Sequence, residues 1–412
     1  MDIGDWRAIE ALRAGVPNGS AVTRLDTDQT EIEGRFLELL SQVASERELG
    51  HQIQGFLIHG DFGSGKSHLL GWLEHVCLRQ GFACSRIAVG KETPLGDGHK
   101  LFRAAMDALR LPDRAGGLRE VADRLRPGDE PYARLYRWVQ DPGSGFDPLF
   151  QATLFVFERM HVHGMEEVER IVGFWAGDRI NVTDLKRWVR ELGETRFDVR
   201  ARSARELVLP RWRFAAGLIA AAGYTGWVLL LDEVELVATF SAVARARAYA
   251  VLAMLVGALE AKQVPGLLTV GAMSPDLTQV VFDQRQDREK VPLRWSERDP
   301  GLLAEIEAGM GFLDPRSGAW LRIREPRPEA LLRTYRRVRE LYRLAYGWSP
   351  PEEMPPGDRH RMRQHVRRWI TRWDLMRLYP DERPEVVTED LRPDYSERPE
   401  MEVAEEEDGR AD

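Results

Sequence analysis

Only two cysteines occur in 412 residues, Cys77 and Cys84, separated by six others. No CxxC pair accompanies them. Neither a disulfide framework nor a zinc site is expected, and the pattern fits a reduced, cytoplasmic setting. Lysine is nearly as scarce, with six Lys against 52 Arg. No apolar run reaches the length of about 18 residues that a membrane-spanning helix requires, so no membrane span is expected. The opening stretch MDIGDWRAIEALRAG has neither the basic start nor the apolar centre of a signal peptide. No internal repeat is visible, and no Ser-His-Asp or Cys-His arrangement invites a nucleophilic mechanism.

What is there suffices for a sizeable core: 43% of the residues are hydrophobic. The length predicts two or three domains, or one domain with a large insertion. The formal charge of −8 is unevenly spread. Residues 381–412 carry fourteen acidic and four basic groups, leaving the preceding 380 residues at +2. Within that body, 322–377 holds fifteen Arg against seven acidic residues. Such a segment is either a solvated helix face or a surface for double-stranded DNA or an acidic partner. The tail is rich in Pro, Glu and Asp and poor in apolar residues, a composition that predicts disorder.

Short apolar runs separated by helical periodicity predict parallel strands in an α/β core. The strand candidates are IQGFLIH (53–59), FACSRIAV (82–89), WVLLLDEVE (227–235) and GLLTVGAMS (266–274), with KVPLRW (290–295) as a further short one. Helices are expected over 5–14, 30–45, 211–222 and 242–261, with a turn at GVPNGS between the first two. From about 100 to 210 the pattern is helical throughout, beginning with DALRL. This block is too long for a single crossover and reads as a helical insertion. The expected organisation is an N-terminal helical segment (1–50), a core (51–299) carrying that insertion, a helical lid (300–380) and the acidic tail (381–412).

The most informative stretch is GDFGSGKSH. Gly60, Asp61, Phe62, Gly63, Ser64, Gly65, Lys66 and Ser67 match G-x-x-x-x-G-K-[ST], and His68 continues into the helix. Glycines let successive N–H groups turn inward toward phosphate oxygens, and the following helix adds its positive end. Lys66 would reach the β- and γ-phosphates of ATP, and Ser67 would present a hydroxyl to Mg²⁺. In a chain so poor in lysine, an ordinary glycine-rich turn would sooner have drawn arginine.

The run WVLLLDEVE is the companion expected downstream. Asp232 would hold Mg²⁺, and Glu233 would polarise the attacking water. Glu235 would point along the same side as Glu233, either as a further site carboxylate or as a solvated one. Ser274 ends the next strand, where an AAA+ ATPase places a polar residue between the γ-phosphate and the water. Arg285 and Arg288 are candidate arginine fingers toward a neighbouring subunit, and Arg363 is a candidate lid arginine. Each has the alternative of an ordinary surface arginine. His161 and His163 lack a third ligand in view and read as non-metal. Trp369 and Trp373, four apart on one helix face, read as packing residues in preference to base-stacking ones.

Taken together, IEALRAGVPNGSAV, GDFGSGKSHLL, KETPL and AAGYTGWVLLLDEVE resemble the BrxD-like ATP-binding proteins of BREX-type phage-defence islands. That family in turn resembles AAA+ ATPases of the origin-recognition and STAND branch. The resemblance spans most of 6–380. It implies a three-layer P-loop AAA+ core with a parallel sheet, a large helical insertion and a C-terminal helical lid. It further implies ATP hydrolysis, and either a homo-oligomer or a complex with a helicase or another defence protein. Two readings stay open: a DNA-associated ATPase, or a nucleotide-controlled switch that assembles with a protein partner and does not act on DNA.

Overall fold

The computed structural model describes residues 3–15, 19–25, 27–114, 116–160, 165–296, 298–354, 362–380 and 398. His161, His163 and all of the acidic tail except Arg398 therefore lie outside the described residues, as do 16–18 of the expected GVPNGS turn. Among the described residues no helix is long and apolar enough to cross a membrane.

Six strands form one sheet: β1 (Phe56–His59), β2 (Ala83–Ala88), β3 (Leu109–Arg110), β4 (Trp227–Asp232), β5 (Leu267–Met273) and β6 (Trp320–Arg322). Their order is β3-β2-β4-β5-β1-β6. Every pairing is parallel except β2 with the two-residue edge strand β3. The molecule is thus an α/β protein with a P-loop core. β5 lies between β1 and β4, with Leu57 beside Gly271 and Leu231 beside that same Gly271. This order brings the ends of the phosphate-loop strand and the Asp-Glu strand to one edge, with the end of β5 between them. Ligands of open parallel sheets bind at that carboxyl edge.

Strand side chains alternate between faces, and the two faces bury different partners. Phe56, Ile58, Val228, Leu230, Leu268 and Val270 pack with the helices Thr30–Glu48 and Lys66–Arg79. Cys77 and Cys84 are buried free thiols in this layer. On the other face, Leu57, Trp227, Leu229 and Leu231 join one continuous core with the helical insertion. An aromatic ladder couples the two. Trp212 stacks on Trp227 with ring centres 4.9 Å apart, and Phe214 lies 5.1 Å from Phe150 and 5.2 Å from Trp175. Trp227 Nε1 donates to Ser85 Oγ at 3.1 Å, so even this buried indole is satisfied.

A third cluster joins the first helix to the last two described helices. Ala8, Ile9 and Leu12 of the helix Ile3–Ala14 pack against Tyr335, Val338 and Tyr342 of Pro328–Tyr346 and against Trp369 and Trp373 of Met362–Leu378. Trp369 and Trp373 are fully buried, at 5.0 and 5.5 Å from the Tyr335 ring. They serve packing and are out of reach of a base. Arg13 fastens the cluster through Asp374, with bonds of 2.9 and 3.0 Å.

Three local expectations fail. KVPLRW is not a strand: the helix Asp287–Trp295 covers it. Val291 and Trp295 are both buried at i, i+4 spacing, so helical period governs there and alternation does not. β6 falls in a stretch read as helical, because three residues are too few to show a period. The stretch DALRL, read as helical, ends its helix at Asp107 and turns into β3.

Candidate nucleotide-binding and hydrolysis site

The phosphate loop joins β1 to the helix Lys66–Arg79. Gly63 and Gly65 take φ of +82° and +106°, left-handed values that a side chain would strain. A Cβ on Gly60 would fall 2.6 Å from Ser64 Oγ, so the loop closes only over a bare backbone there. Residues Phe62 to Leu69 line one wall of a cleft whose other walls come from Asp232, Glu233, Glu235 and Arg363.

Lys66 is buried and folded back. Its Nζ donates to the carbonyls of Gly60 at 2.7 Å and Asp61 at 3.2 Å, and lies 3.9 Å from Glu235 Oε1. Burial lowers its pKa; Glu235, Asp232 and Asp61 act to raise it, and Arg363 adds to the lowering. Asp232 ends β4 and accepts the Glu233 N–H at 3.0 Å. Glu233 itself has φ of +57°. A non-glycine residue there is strained by about 1–3 kcal/mol, and such strain clusters at functional positions. Burial and then the Asp232 charge push the Glu233 carboxyl up, while Lys66 and Arg363 pull it down.

Glu235 departs from the expectation of a residue sharing Glu233's side. The strand stops at Asp232, Glu233 turns the chain, and Val234–Thr239 is a 3-10 helix. Glu235 is thereby folded under Lys66, 8% exposed, with one oxygen near the lysine and Oε2 without a partner. Burial raises its pKa, against Lys66, its own backbone N–H and that of Ser274. The sequence did carry a signal: Val234, Leu236 and Val237 flank the carboxylate, and a solvated loop rarely has such company. In Glu235→Gln the charge beside Lys66 is lost and the amide NH₂ takes the buried place of the unpartnered Oε2, so the unfolding free energy should fall by about 1–3 kcal/mol in denaturant titration. A solvated carboxylate would change it by less than about 0.5 kcal/mol.

Ser274 follows β5, is 2% exposed, and donates from Oγ to Asp276 Oδ2 at 3.2 Å. Its backbone N–H acts to lower the Glu235 pKa. Arg363 reaches the cleft from the helix Met362–Leu378, its guanidinium 5.2 Å from the Phe62 ring centre. Burial and then Arg367 depress its pKa, whereas Asp232 and Glu233 raise it. Arg285 and Arg288 do not line this cleft. Arg285 donates to the Phe240 carbonyl at 3.2 Å, and Arg288 donates to Asp314 at 2.6 Å while stacking over Phe282.

Sequence reasoning also missed the wall from 27 to 29. Asp28 has φ of +53° and accepts from Arg327 at 3.2 Å and Arg333 at 3.0 Å. Gln29 pairs its amide with both backbone groups of Arg324, at 3.0 and 2.9 Å. These contacts hold the N-terminal segment against the segment after β6, and nothing local in TDQT announces them.

The residues fit a nucleoside triphosphate. Ser64 Oγ is buried without a partner, and Lys66 leans on two carbonyls where phosphate oxygens would serve. The family comparison agrees: residues 6–126 and 185–367 match the BREX system ATP-binding protein BrxC/D family. The chain belongs to that family. It is an ATP-binding protein of a BREX phage-defence system. No curated protein matches it. The unmatched stretch between the two BrxC/D segments contains the insertion helices Glu130–Gln140, Pro148–Met160 and Met165–Trp175.

Proposed function

We propose that this chain is an AAA+-type ATPase that hydrolyses ATP at the cleft between the phosphate loop and β4, in association with DNA. The observation that carries this reading is Glu233. A carboxylate held in a strained conformation, with its pKa raised, stands beside Asp232 and opposite Lys66. A base poised in this way takes the proton of a water attacking the γ-phosphorus in line, as the bond to the β-γ bridging oxygen breaks. Ser67 and Asp232 would hold Mg²⁺, which when bound neutralises charge on the phosphate oxygens. Lys66 leaves the Gly60 and Asp61 carbonyls for phosphate. Ser274, next after β5, would place its hydroxyl between the γ-phosphate and the attacking water.

Lys66→Ala removes the one lysine of the loop. The affinity for ATP should fall about tenfold to a hundredfold, the worth of a charge-assisted hydrogen bond. Arg363→Ala should weaken ATP binding by a similar, roughly tenfold factor if Arg363 reaches phosphate from the lid. Unchanged affinity would leave Arg363 a packing residue on Phe62. Both are read by titration with a fluorescent ATP analogue.

For the DNA association, support comes from the exposed or partly exposed cations Arg322, Arg336, Arg367 and Arg372 on the 322–377 segment. A second reading, the nucleotide-controlled switch, is favoured by a different observation. Much of the same segment's charge is spent internally, through pairs of Arg324 with Glu31 and of Arg327 and Arg333 with Asp28. Those pairs tie the lid to the cleft wall, where bound nucleotide would act on them. The deciding experiment is ATP turnover with and without double-stranded DNA across a salt series. Stimulation that fades steeply with salt supports the first reading. Turnover indifferent to DNA, with assembly size that follows the nucleotide, supports the second. Absence of turnover under both conditions overturns the ATPase proposal.

A further inference from the structure

A second cleft, of about 1,580 Å³, lies between the insertion and the core. Its walls are the segment after β2, the stretches 177–182 and 201–211, and the helix Ala242–Leu255. Seven basic and three acidic residues line it. The acids are already engaged. Asp97 accepts the His99 and Lys100 N–H groups, Glu206 accepts from Ser203, and Glu305 pairs with Lys262. Lys100, Arg179 and Arg205 have no ion pair among the described residues.

Arg211 is the most telling. Its side chain is 3% exposed, and it donates to the carbonyls of Gly177 and Asp178, both at 2.9 Å. Its NH1 lies 2.7 Å from His99 Nδ1, and its Nε has no partner. It makes no ion pair among the described residues. Burial holds its pKa down, to about 10, with Asp178 acting to raise it and Arg103 adding to the lowering. A buried guanidinium without a paired anion is costly, and here it opens on a cleft roomy enough to admit one.

We propose that the acidic C-terminal segment, residues 399–412, occupies this cleft. That segment, PEMEVAEEEDGRAD, carries seven acidic residues and one basic one. The residue before it, Arg398, donates its backbone N–H to the Thr239 carbonyl at 3.0 Å. Phe240 and Ser241, next in sequence to Thr239, line the cleft. The segment therefore starts at the cleft's rim. Extended, its fourteen residues reach about 46 Å, ample for the far wall. Met401, Val403 and Ala404 are matched by apolar residues of the cleft such as Phe174, Val243 and Met254. Glu405, Glu406, Glu407 and Asp408 then meet Lys100, Arg205 and Arg211.

Hydrogen exchange on the full chain tests this. The neutralised variant, with Glu405→Gln, Glu406→Gln, Glu407→Gln and Asp408→Asn, alters no described residue. Amides of 97–103 and 201–208 should exchange about tenfold faster in it than in the wild type, as for a cleft occupied about nine-tenths of the time. Lys100→Glu with Arg205→Glu should give the same loss from the cleft side. A synthetic 399–412 peptide added to the neutralised variant should restore protection, and less so at high salt. Equal exchange in wild type and variant overturns the proposal. So does protection restored by double-stranded DNA but not by the peptide, which would assign the cleft to nucleic acid.

Discussion

Glu233→Gln should bind ATP with near wild-type affinity and turn it over at least about a hundredfold more slowly. The amide keeps the size and placement of the carboxylate but cannot accept the proton of the attacking water. Asp232, Lys66 and the loop remain intact, so the ground state should be little changed, and only the step that needs a base should suffer. The wild type should show a matching pH dependence. Burial, with Asp232 adding to it, raises the Glu233 carboxyl above 4.5. A base works only when deprotonated. Turnover should therefore rise with pH through a midpoint above the ordinary carboxylate value, and this limb should vanish from the residual activity of Glu233→Gln. Single-turnover kinetics beside equilibrium ATP binding separate the two effects. Turnover in the variant within a few-fold of wild type would take the water-activating role from Glu233.

The site's chemistry was legible in the sequence wherever it depends on local backbone geometry. A loop that must turn N–H groups inward needs glycine at fixed offsets, and a strand that must deliver carboxylates at its end announces itself as an apolar run closed by Asp-Glu. The four longer parallel strands and the helical insertion were legible for the same reason, since period and length are local properties. Arg363 was readable only as a candidate. Its place in the cleft depends on how the helix Met362–Leu378 packs with Ile3–Ala14, a contact across more than 340 residues of sequence. Glu235 was harder still. Its burial follows from one left-handed residue that ends the strand two positions earlier. The antiparallel β3 and the short β6 are stabilised by their neighbours in the sheet, and their own residues carry too little pattern to declare them.

Asp287→Ala should cost about 3–5 kcal/mol of unfolding free energy. Asp287 accepts Arg245 Nε at 2.7 Å and Arg245 NH2 at 2.6 Å, and the Tyr249 hydroxyl donates to it at 2.6 Å. Both side chains of the ion pair are about 2–3% exposed. The pair bridges the helix Ala242–Leu255 and the helix Asp287–Trp295. Removing the carboxylate takes from a buried guanidinium the anion bound through both Nε and NH2, while the bond to the Phe240 carbonyl, at 2.6 Å, stays. The loss of a bidentate anion from a buried guanidinium sets the size of the effect. The double variant Arg245→Met with Asp287→Leu removes both charges and should recover most of the stability. Denaturant midpoints of the two variants separate these contributions. A single variant within about 0.5 kcal/mol of wild type would mean that water reaches Arg245 and that the pair is structurally idle. The same pair also holds the segment carrying Arg285 and Arg288, both of which are anchored within their own chain at Phe240 and Asp314. If those arginines act on a neighbouring subunit, the double variant should regain its fold but not its full turnover, because the segment would then be free to shift without unfolding.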